Sequence, residues 1–297
     1  MASVLSIGIA VLDYVFQVED MPTRPEKYRS QSMKTVGGGI AANASVAVAR
    51  QGGASWLITR LGDDALSDSI LDGIKREGVN VSLVRKFAGK ASPLSCIVVD
   101  KTGERMIISY SDHHIPETPD WLPAALPKSI DCVLGDTRWE AGSRHIFQLA
   151  ASAGKMSVLD ADRKPNDPST LGACTHAALS AQACFEITGE RDPYKGLLHL
   201  RQQHGNWLAV TDGANGVYWT DGASIRHTPA FSVKVVDTLA AGDTWHGAFA
   251  LGLAEGMGEA HSVRYACAVA ALKCTRFGGR SGIPDRAEVE QFLTGNG

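Results

Sequence analysis

The sequence predicts an α/β fold, with a mainly parallel sheet covered by helices and a small antiparallel β lid attached to it. Apolar runs of strand length alternate with longer helical stretches along most of the chain, which is the pattern of a buried parallel sheet. Residues 14 to 36 and 92 to 111 break that rhythm with shorter alternating segments, as half-exposed strands do. No repeat, low-complexity tract or linker divides the chain, so residues 1–297 are read as one domain.

The core strands are expected, in order, in SVLSIGIAVLD, ASWLITRLG, DCVLGD, KMSVLDAD and WLAVTDG. Each is a short apolar run that ends in Gly or Asp, where a strand stops and a loop begins. The lid strands are expected in YVFQVED, KYRSQSMKTV, LSCIVVD and RMIISY, with a turn at Asp100 to Gly103. The N-terminal run MASVLSIGIAVLDYV has no basic flank and reaches Asp13 early. It reads as the first core strand rather than a signal peptide or membrane span, and the expected location is the cytoplasm.

Composition narrows the function. With 44% hydrophobic residues, a formal charge of -3 and no Lys/Arg block, the chain lacks the basic footprint of a nucleic-acid or anionic-membrane binder. A small molecule is the expected partner. The six cysteines, Cys96, Cys132, Cys174, Cys184, Cys267 and Cys274, form no CxxC pair and are read as buried thiols in a reducing compartment. Absence of GxSxG, GxxxxGK[ST] and post-strand GxGxxG strings disfavours a hydrolase, a P-loop NTPase and a simple dinucleotide oxidoreductase. Nor do the nine histidines show HxxxH or HxH spacing; His246, one turn after Asp243, is read as a packing residue.

The strongest signal is DTLAAGDTWHGAFALGLAEG, residues 237 to 256. Small residues give way to Trp245, Phe249 and Leu253 at helical spacing, so a helix starts near Gly242. Its first N–H groups lack intrahelical partners, and Ala240, Ala241, Gly242 and Asp243 can cradle an anion. The helix dipole is expected to hold Asp243 ionised, ready to take a hydroxyl proton. Taken alone, this string would sooner be read as Asp243 capping a helix.

DTLAAGDTWHGAF resembles the second signature of the ribokinase-like (PfkB) carbohydrate kinases, DTxGAGD followed by a helix. GGGIAANASVAVARQGGASWLITRLGDD, residues 37 to 64, resembles that family's GGxxxN segment, its helix and the next strand. The resemblance spans nearly the whole chain and implies a three-layer α/β/α core. It also implies ATP and Mg2+ as cofactors and Asp243 as the base that activates a sugar hydroxyl. Sugar contacts are implied for Asp13, at the end of the first strand, and for Gly38, Gly39 and Asn43. VTDGANG, residues 210 to 216, matches the nucleotide segment, implicating Thr211, Gly213 and Gly216, with Gly278 further on. A K+ site is implied beside Asp237 and Thr238, and a homodimer through the lid.

Two departures qualify the match. Ala240 stands where the signature has Gly, so an ordinary negative φ is expected there. Ser180 and Ala183 stand in place of the family's NxxE magnesium motif, so magnesium should be held mainly by phosphates and water. A sugar or nucleotide sensor without turnover is the alternative of another class, which intact Asp243 argues against. Within the family, PTRPEKY, GERMII, DTRW, VLDAD and ALKCTRFGGRSGIPD resemble the bacterial kinases of 6-deoxy-6-sulfofructose. That likeness implies a ketose with an anionic group, held by Lys27 from the lid and Arg138 from the core, which converge on the end opposite the reacting hydroxyl. Ser109 replaces an expected amide there. A neutral ketose, 2-keto-3-deoxygluconate or a sugar phosphate are the other substrates in view.

Overall fold

Successive side chains of a strand point to opposite faces, so core strands buried along their whole length, such as SVLSI and CVLGD, give a sheet apolar on both faces, and two helical layers form to cover it. The structure, a computed structural model, describes residues 1–296 of the chain. The first half of the chain runs β1 (Ser3–Ile7), β2 (Val11–Gln17), β3 (Ser32–Gly38), α1 (Ile40–Arg50), β4 (Ala54–Ile58), β5 (Arg60–Gly62), α2 (Ala65–Arg76), β6 (Arg85–Phe87), β7 (Leu94–Val99) and β8 (Arg105–Tyr110). The second half adds β9 (Cys132–Asp136), α3 (Glu140–Ser152), β10 (Met156–Ala161), β11 (His176–Ser180), α4 (Ala181–Thr188), α5 (Pro193–Arg201), β12 (Trp207–Thr211), β13 (Val217–Asp221), β14 (Ser224–Thr228), α6 (Ala241–Ala254), α7 (Glu259–Cys274) and α8 (Arg286–Gly295).

The large sheet has the order β14-β13-β12-β11-β10-β9-β1-β4. It is parallel from β12 to β4, and β13 and β14 extend it antiparallel at one edge. Val4, Leu134, Val158 and Ala209 face one helical layer, where they meet Val48, Phe249, Val269 and Val289. Their strand neighbours Leu5, Val133, Leu159 and Leu208 face the other, against Ile146, Phe147, Leu197 and Leu200. Truncating a fully buried ring such as Phe249 to Ala would cost about 3–5 kcal/mol.

The small sheet has the order β3-β2-β7-β8. Its outer pairs are antiparallel, but the central pair β2 and β7 is parallel, so the lid is mixed rather than purely antiparallel. KYRSQSMKTV becomes strand only from Ser32 onward. The apolar run read as one first strand is two: β1 enters the large sheet and β2 the small one. The chain turns between them where the Asp136 carboxylate accepts a hydrogen bond from the Ile9 amide at 2.8 Å. All six cysteines are free, and Cys96 and Cys274 are only half-buried. No helix of the described residues is long and apolar enough to cross a membrane.

Candidate active site

Parallel strands leave a crevice at their carboxyl ends, where loops diverge. Here it is a cavity of about 550 Å³ between the two sheets, walled by Asp13, Asn43, Ser95, Ser109, Arg138 and Asp243 among others. Asp243 sits in the first turn of α6. The helix places it there because its buried residues, Trp245, Phe249 and Leu253 included, anchor the following turns; the rings of Trp245 and Phe249 stack at 5.0 Å. Gly247 lets α1 approach closely, since a Cβ there would stand 2.4 Å from the Ala44 carbonyl. That approach brings Asn43 to Asp243, and its amide nitrogen donates to Asp243 Oδ2 at 2.7 Å.

Arg280 completes the line from behind. Its Nε donates to Asn43 Oδ1 at 3.0 Å and its Nη2 to the Gly38 carbonyl at 2.9 Å. Arginine can only donate, so it fixes the Asn43 amide with nitrogen toward the carboxylate. On its other side Asp243 faces a buried pair. His246 Nδ1 bonds the Gly242 carbonyl at 2.8 Å and lies 3.0 Å from Asp160 Oδ2, while Nε2 meets the Ala178 carbonyl at 3.2 Å. Burial alone would lower the pKa of His246, but Asp160 and the two carbonyls raise it to about 9. The ring is therefore an imidazolium at neutral pH.

Asp243 itself departs from the dipole-based expectation. Burial first, and then the negative charge of Asp160, raise its pKa to about 7, against the lowering effects of Asn43 and His246. Desolvation outweighs the dipole because protein surrounds the carboxylate on the cavity wall, although the residue is only half-buried. The result is a carboxylate basic enough to accept a proton from a hydroxyl in the transition state.

Three of the four predicted cradle amides are free. The N–H groups of Ala240, Gly242 and Asp243 have no acceptor among the described residues, whereas Ala241 donates to the Thr238 carbonyl at 3.2 Å. No side chain caps this helix start, and a Cβ on Gly242 would meet nothing within 4 Å. Ala240 overturns the expectation of a negative φ. It lies at φ 64°, ψ 16°, the one non-glycine residue with positive φ among those described. The left-handed turn is what aims the following amides outward, and the chain keeps it despite the Cβ.

The other candidates divide into those the fold gathers and those it does not. Asp13 lies within β2 of the small sheet rather than at the end of the first core strand. It lines the cavity, and burial raises its pKa against a hydrogen bond from Ser95 and the charge of Arg280. Gly38 packs on its carboxylate, and Gly39, at φ 92°, starts α1. Ser109 lies 3.4 Å from Ser95 across the two strands. Arg138 is on the cavity wall, paired with Asp162. Lys27 is exposed and outside that wall, so the expected convergence of Lys27 and Arg138 within one chain is absent. Ser180 and Ala183 form a helix start instead of a metal motif, with the Ser180 hydroxyl accepting the Ala183 amide at 3.0 Å.

Thr211, Gly213 and Gly216 lie at the end of β12 and the turn after it, away from the cavity wall. The Gly278 amide is taken up by Asp237 at 2.9 Å. Asp237 is buried and receives the buried ammonium of Lys273, so the residues expected to hold K+ do not present a free oxygen cage. Among the described residues no group of three or more His, Cys, Asp or Glu is arranged to hold a metal ion. Sequence reasoning gave no role to Arg280, Asp160 and Lys273, although each stands in a string quoted for its resemblance, and missed the charged state of His246.

A family profile described as pfkB family carbohydrate kinase matches residues 1–286. Ribokinase of Bacillus subtilis (strain 168) is 28% identical over 298 residues, covering 99% of this chain and 100% of its own length. A solved structure from Agrobacterium tumefaciens, which carries a provisional ribokinase name, is similar with a TM-score of 0.91 at 36% identity, covering 99% of this chain and 98% of that one. The fold is shared too with ribokinase of Arabidopsis thaliana, solved with ribose and ATP, at TM-score 0.87 and 20% identity over 98% of each chain.

Proposed function

Since the chain belongs to the pfkB family of carbohydrate kinases, we propose that it transfers the γ-phosphoryl group of ATP to a primary hydroxyl of a small sugar, with Asp243 as the base. Asp243 takes the hydroxyl proton as the sugar oxygen attacks the γ-phosphorus, and the bond to the β–γ bridging oxygen breaks to release ADP. The observation that carries this reading is Asp243 on the cavity wall with Ala240, at a helix start where the amides of Ala240, Gly242 and Asp243 have no acceptor among the described residues. Those amides meet the charge on the phosphoryl oxygens, so positioning and electrostatics supply most of the rate. ATP as donor is supported by the nucleotide held in the Arabidopsis relative. Magnesium, held mainly by the nucleotide phosphates and water, would offset phosphate charge.

The sugar proposed is a ketose bearing an anionic group, such as 6-deoxy-6-sulfofructose, contacted by Arg138. Arginine suits a planar two-point contact with such a group, and Ser109 also faces the cavity. The small sheet would pair with its copy in a homodimer. Ribose is the second reading, favoured by the B. subtilis relative. An ADP-release screen over ribose, fructose, 6-deoxy-6-sulfofructose, fructose 6-phosphate, tagatose 6-phosphate and 2-keto-3-deoxygluconate tests both. The anionic reading expects a charged ketose to lead, and Arg138→Ala to lower its kcat/KM by roughly 10-fold to 150-fold, from the worth of a charge-assisted contact. A lead for ribose that Arg138→Ala leaves untouched ends that reading. ADP release with none of the sugars ends the kinase assignment of this site.

A further inference from the structure

Lys273 is a lysine in a place where lysine is rarely found. It lies in the last turn of α7, is 0% exposed, and stands in register with the buried Ala266 and Val269. A buried ammonium is retained only where it is paired and hydrogen-bonded. Its Nζ donates to the Asp237 carbonyl at 2.7 Å and stands 3.7 Å from Asp237 Oδ2. Asp237 opens the loop that leads into α6 and the candidate base.

The same carboxylate is otherwise saturated by the chain. Oδ1 accepts the Leu239 amide at 2.9 Å and Arg105 Nη2 at 2.8 Å, and Oδ2 accepts the amides of Gly278 and Gly279 at 2.9 and 3.1 Å. In return, the amides of Val236 and Asp237 donate to the Cys274 carbonyl at 2.8 and 3.1 Å. Asp237 is thus the knot between the α6 entry loop, the turn after α7 and, through Arg105, strand β8. One negative charge already faces two positive ones, and a third cation brought beside a buried ammonium would be repelled with little screening.

We propose that the Lys273 ammonium is a built-in replacement for the monovalent cation that the family resemblance implies at Asp237 and Thr238, and that this enzyme works without K+. Lys273 acts as a positioning residue. It touches no reacting atom, and holds the loop whose left-handed turn at Ala240 aims the amides beside Asp243. The proposal rests on the kinase reading for its activity readout alone, because ion binding can be followed without substrate.

The test compares KCl with tetramethylammonium chloride at equal ionic strength, by thermal unfolding and by ADP release with the best sugar. For the wild-type chain the expected result is no K+-specific rise in unfolding temperature and activities within about twofold in the two salts. A K+-specific thermal shift, or a K+ stimulation of fivefold or more, overturns the proposal. Lys273→Ala removes the ammonium and opens space beside Asp237. That variant should lose at least tenfold in activity in tetramethylammonium and recover most of it in KCl, a rescue that general destabilisation would not produce. A folded Lys273→Ala protein as active as wild type in tetramethylammonium also overturns it. Should Lys273→Ala fail to fold, the wild-type comparison decides. Absence of ADP release with every sugar would count against the kinase reading, and the thermal comparison would still decide this one.

Discussion

Asp243 has to be charged to accept a proton, yet it sits where burial and Asp160 favour its neutral form. With a pKa raised to about 7, the protonated, inactive fraction grows as pH falls through that value. kcat/KM should therefore drop about tenfold per unit below pH 7 and level off above it, as a pH–rate profile would record. Asp243→Asn keeps the size of the side chain and loses its basicity, so turnover should fall by roughly 10²-fold or more with the unfolding temperature little changed; a loss within threefold would remove Asp243 from the mechanism. His246 supplies a second test. Its positive charge lowers the pKa of Asp243, so His246→Gln should move the acid limb to higher pH, and a limb that stays put would show that the imidazolium is only packing. At this scale the sequence disclosed Asp243 and Asn43 because each stands in a short local string. Arg280 and Asp160 were hidden because their partners lie far along the chain, and single-residue spacing says nothing about a contact such as Asn43 to Arg280. Lys273 left a readable trace, a lysine at a core position of an apolar helix, which its register with Ala266 and Val269 makes plain.

The entry to α6 is the element on which the site depends, and Ala240 is its strained point. A left-handed conformation costs a non-glycine residue roughly 1–2 kcal/mol, while a glycine there loses about 0.5–1 kcal/mol in extra unfolded-chain entropy. Ala240→Gly should therefore stabilise by about 0.5–1 kcal/mol, a rise in unfolding temperature of roughly 1–3 °C. Ala240→Val, with a branched Cβ at φ 64°, should lower it instead, and calorimetry on the pair would check both signs. Core strands were legible because their runs are rich in large apolar residues and end at Gly or Asp, and α6 because Trp245, Phe249 and Leu253 recur at helical spacing. What went unread follows from weaker patterns. HAALS, which becomes β11, is Ala-rich with Leu179 its one large apolar residue; VYWTD, which becomes β13, shows no alternation, and SIRHT, the edge strand β14, is polar except for Ile225. The break after β1 was invisible because both sides of Gly8 are equally apolar, and the contacts made there, Gly8 to the Ile58 carbonyl and Ile9 to Asp136, come from distant strands. The turn at Ala240 was misread because residue preference opposed it, and the surrounding hydrogen bonds prevailed.

Considered whole, the molecule puts its chemistry between two sheets of unequal support. The large sheet is covered on both faces by helices, while the small one carries an edge strand, β8, with every residue exposed. Ile107, Ile108, Tyr110 and, on β3, Met33 are between 50% and 62% exposed. Ile108 and Tyr110 share one face of β8, with Ile107 on the other and Met33 at the far edge of the sheet, and a free strand edge with exposed apolar residues invites pairing. A second copy fits the need, since the same surface on each partner covers both at once. Side chains alternate along β8, so Ile108 lies on the opposite face from Arg105, the residue that ties this strand to Asp237. Ile108→Lys should therefore spare that internal tie while placing a charge in the proposed dimer contact. Sedimentation at micromolar concentration should show a dimer for the wild-type chain and a monomer for Ile108→Lys, and a variant that stays dimeric would place the contact elsewhere. Because Asp13, Ser95 and Ser109 reach the cavity from this same sheet, a sheet freed from its partner should hold the sugar less firmly. The monomeric variant is expected to show a KM for sugar raised several-fold with kcat changed less, the reverse of the Asp243→Asn pattern, and that split separates loosened binding from damaged chemistry.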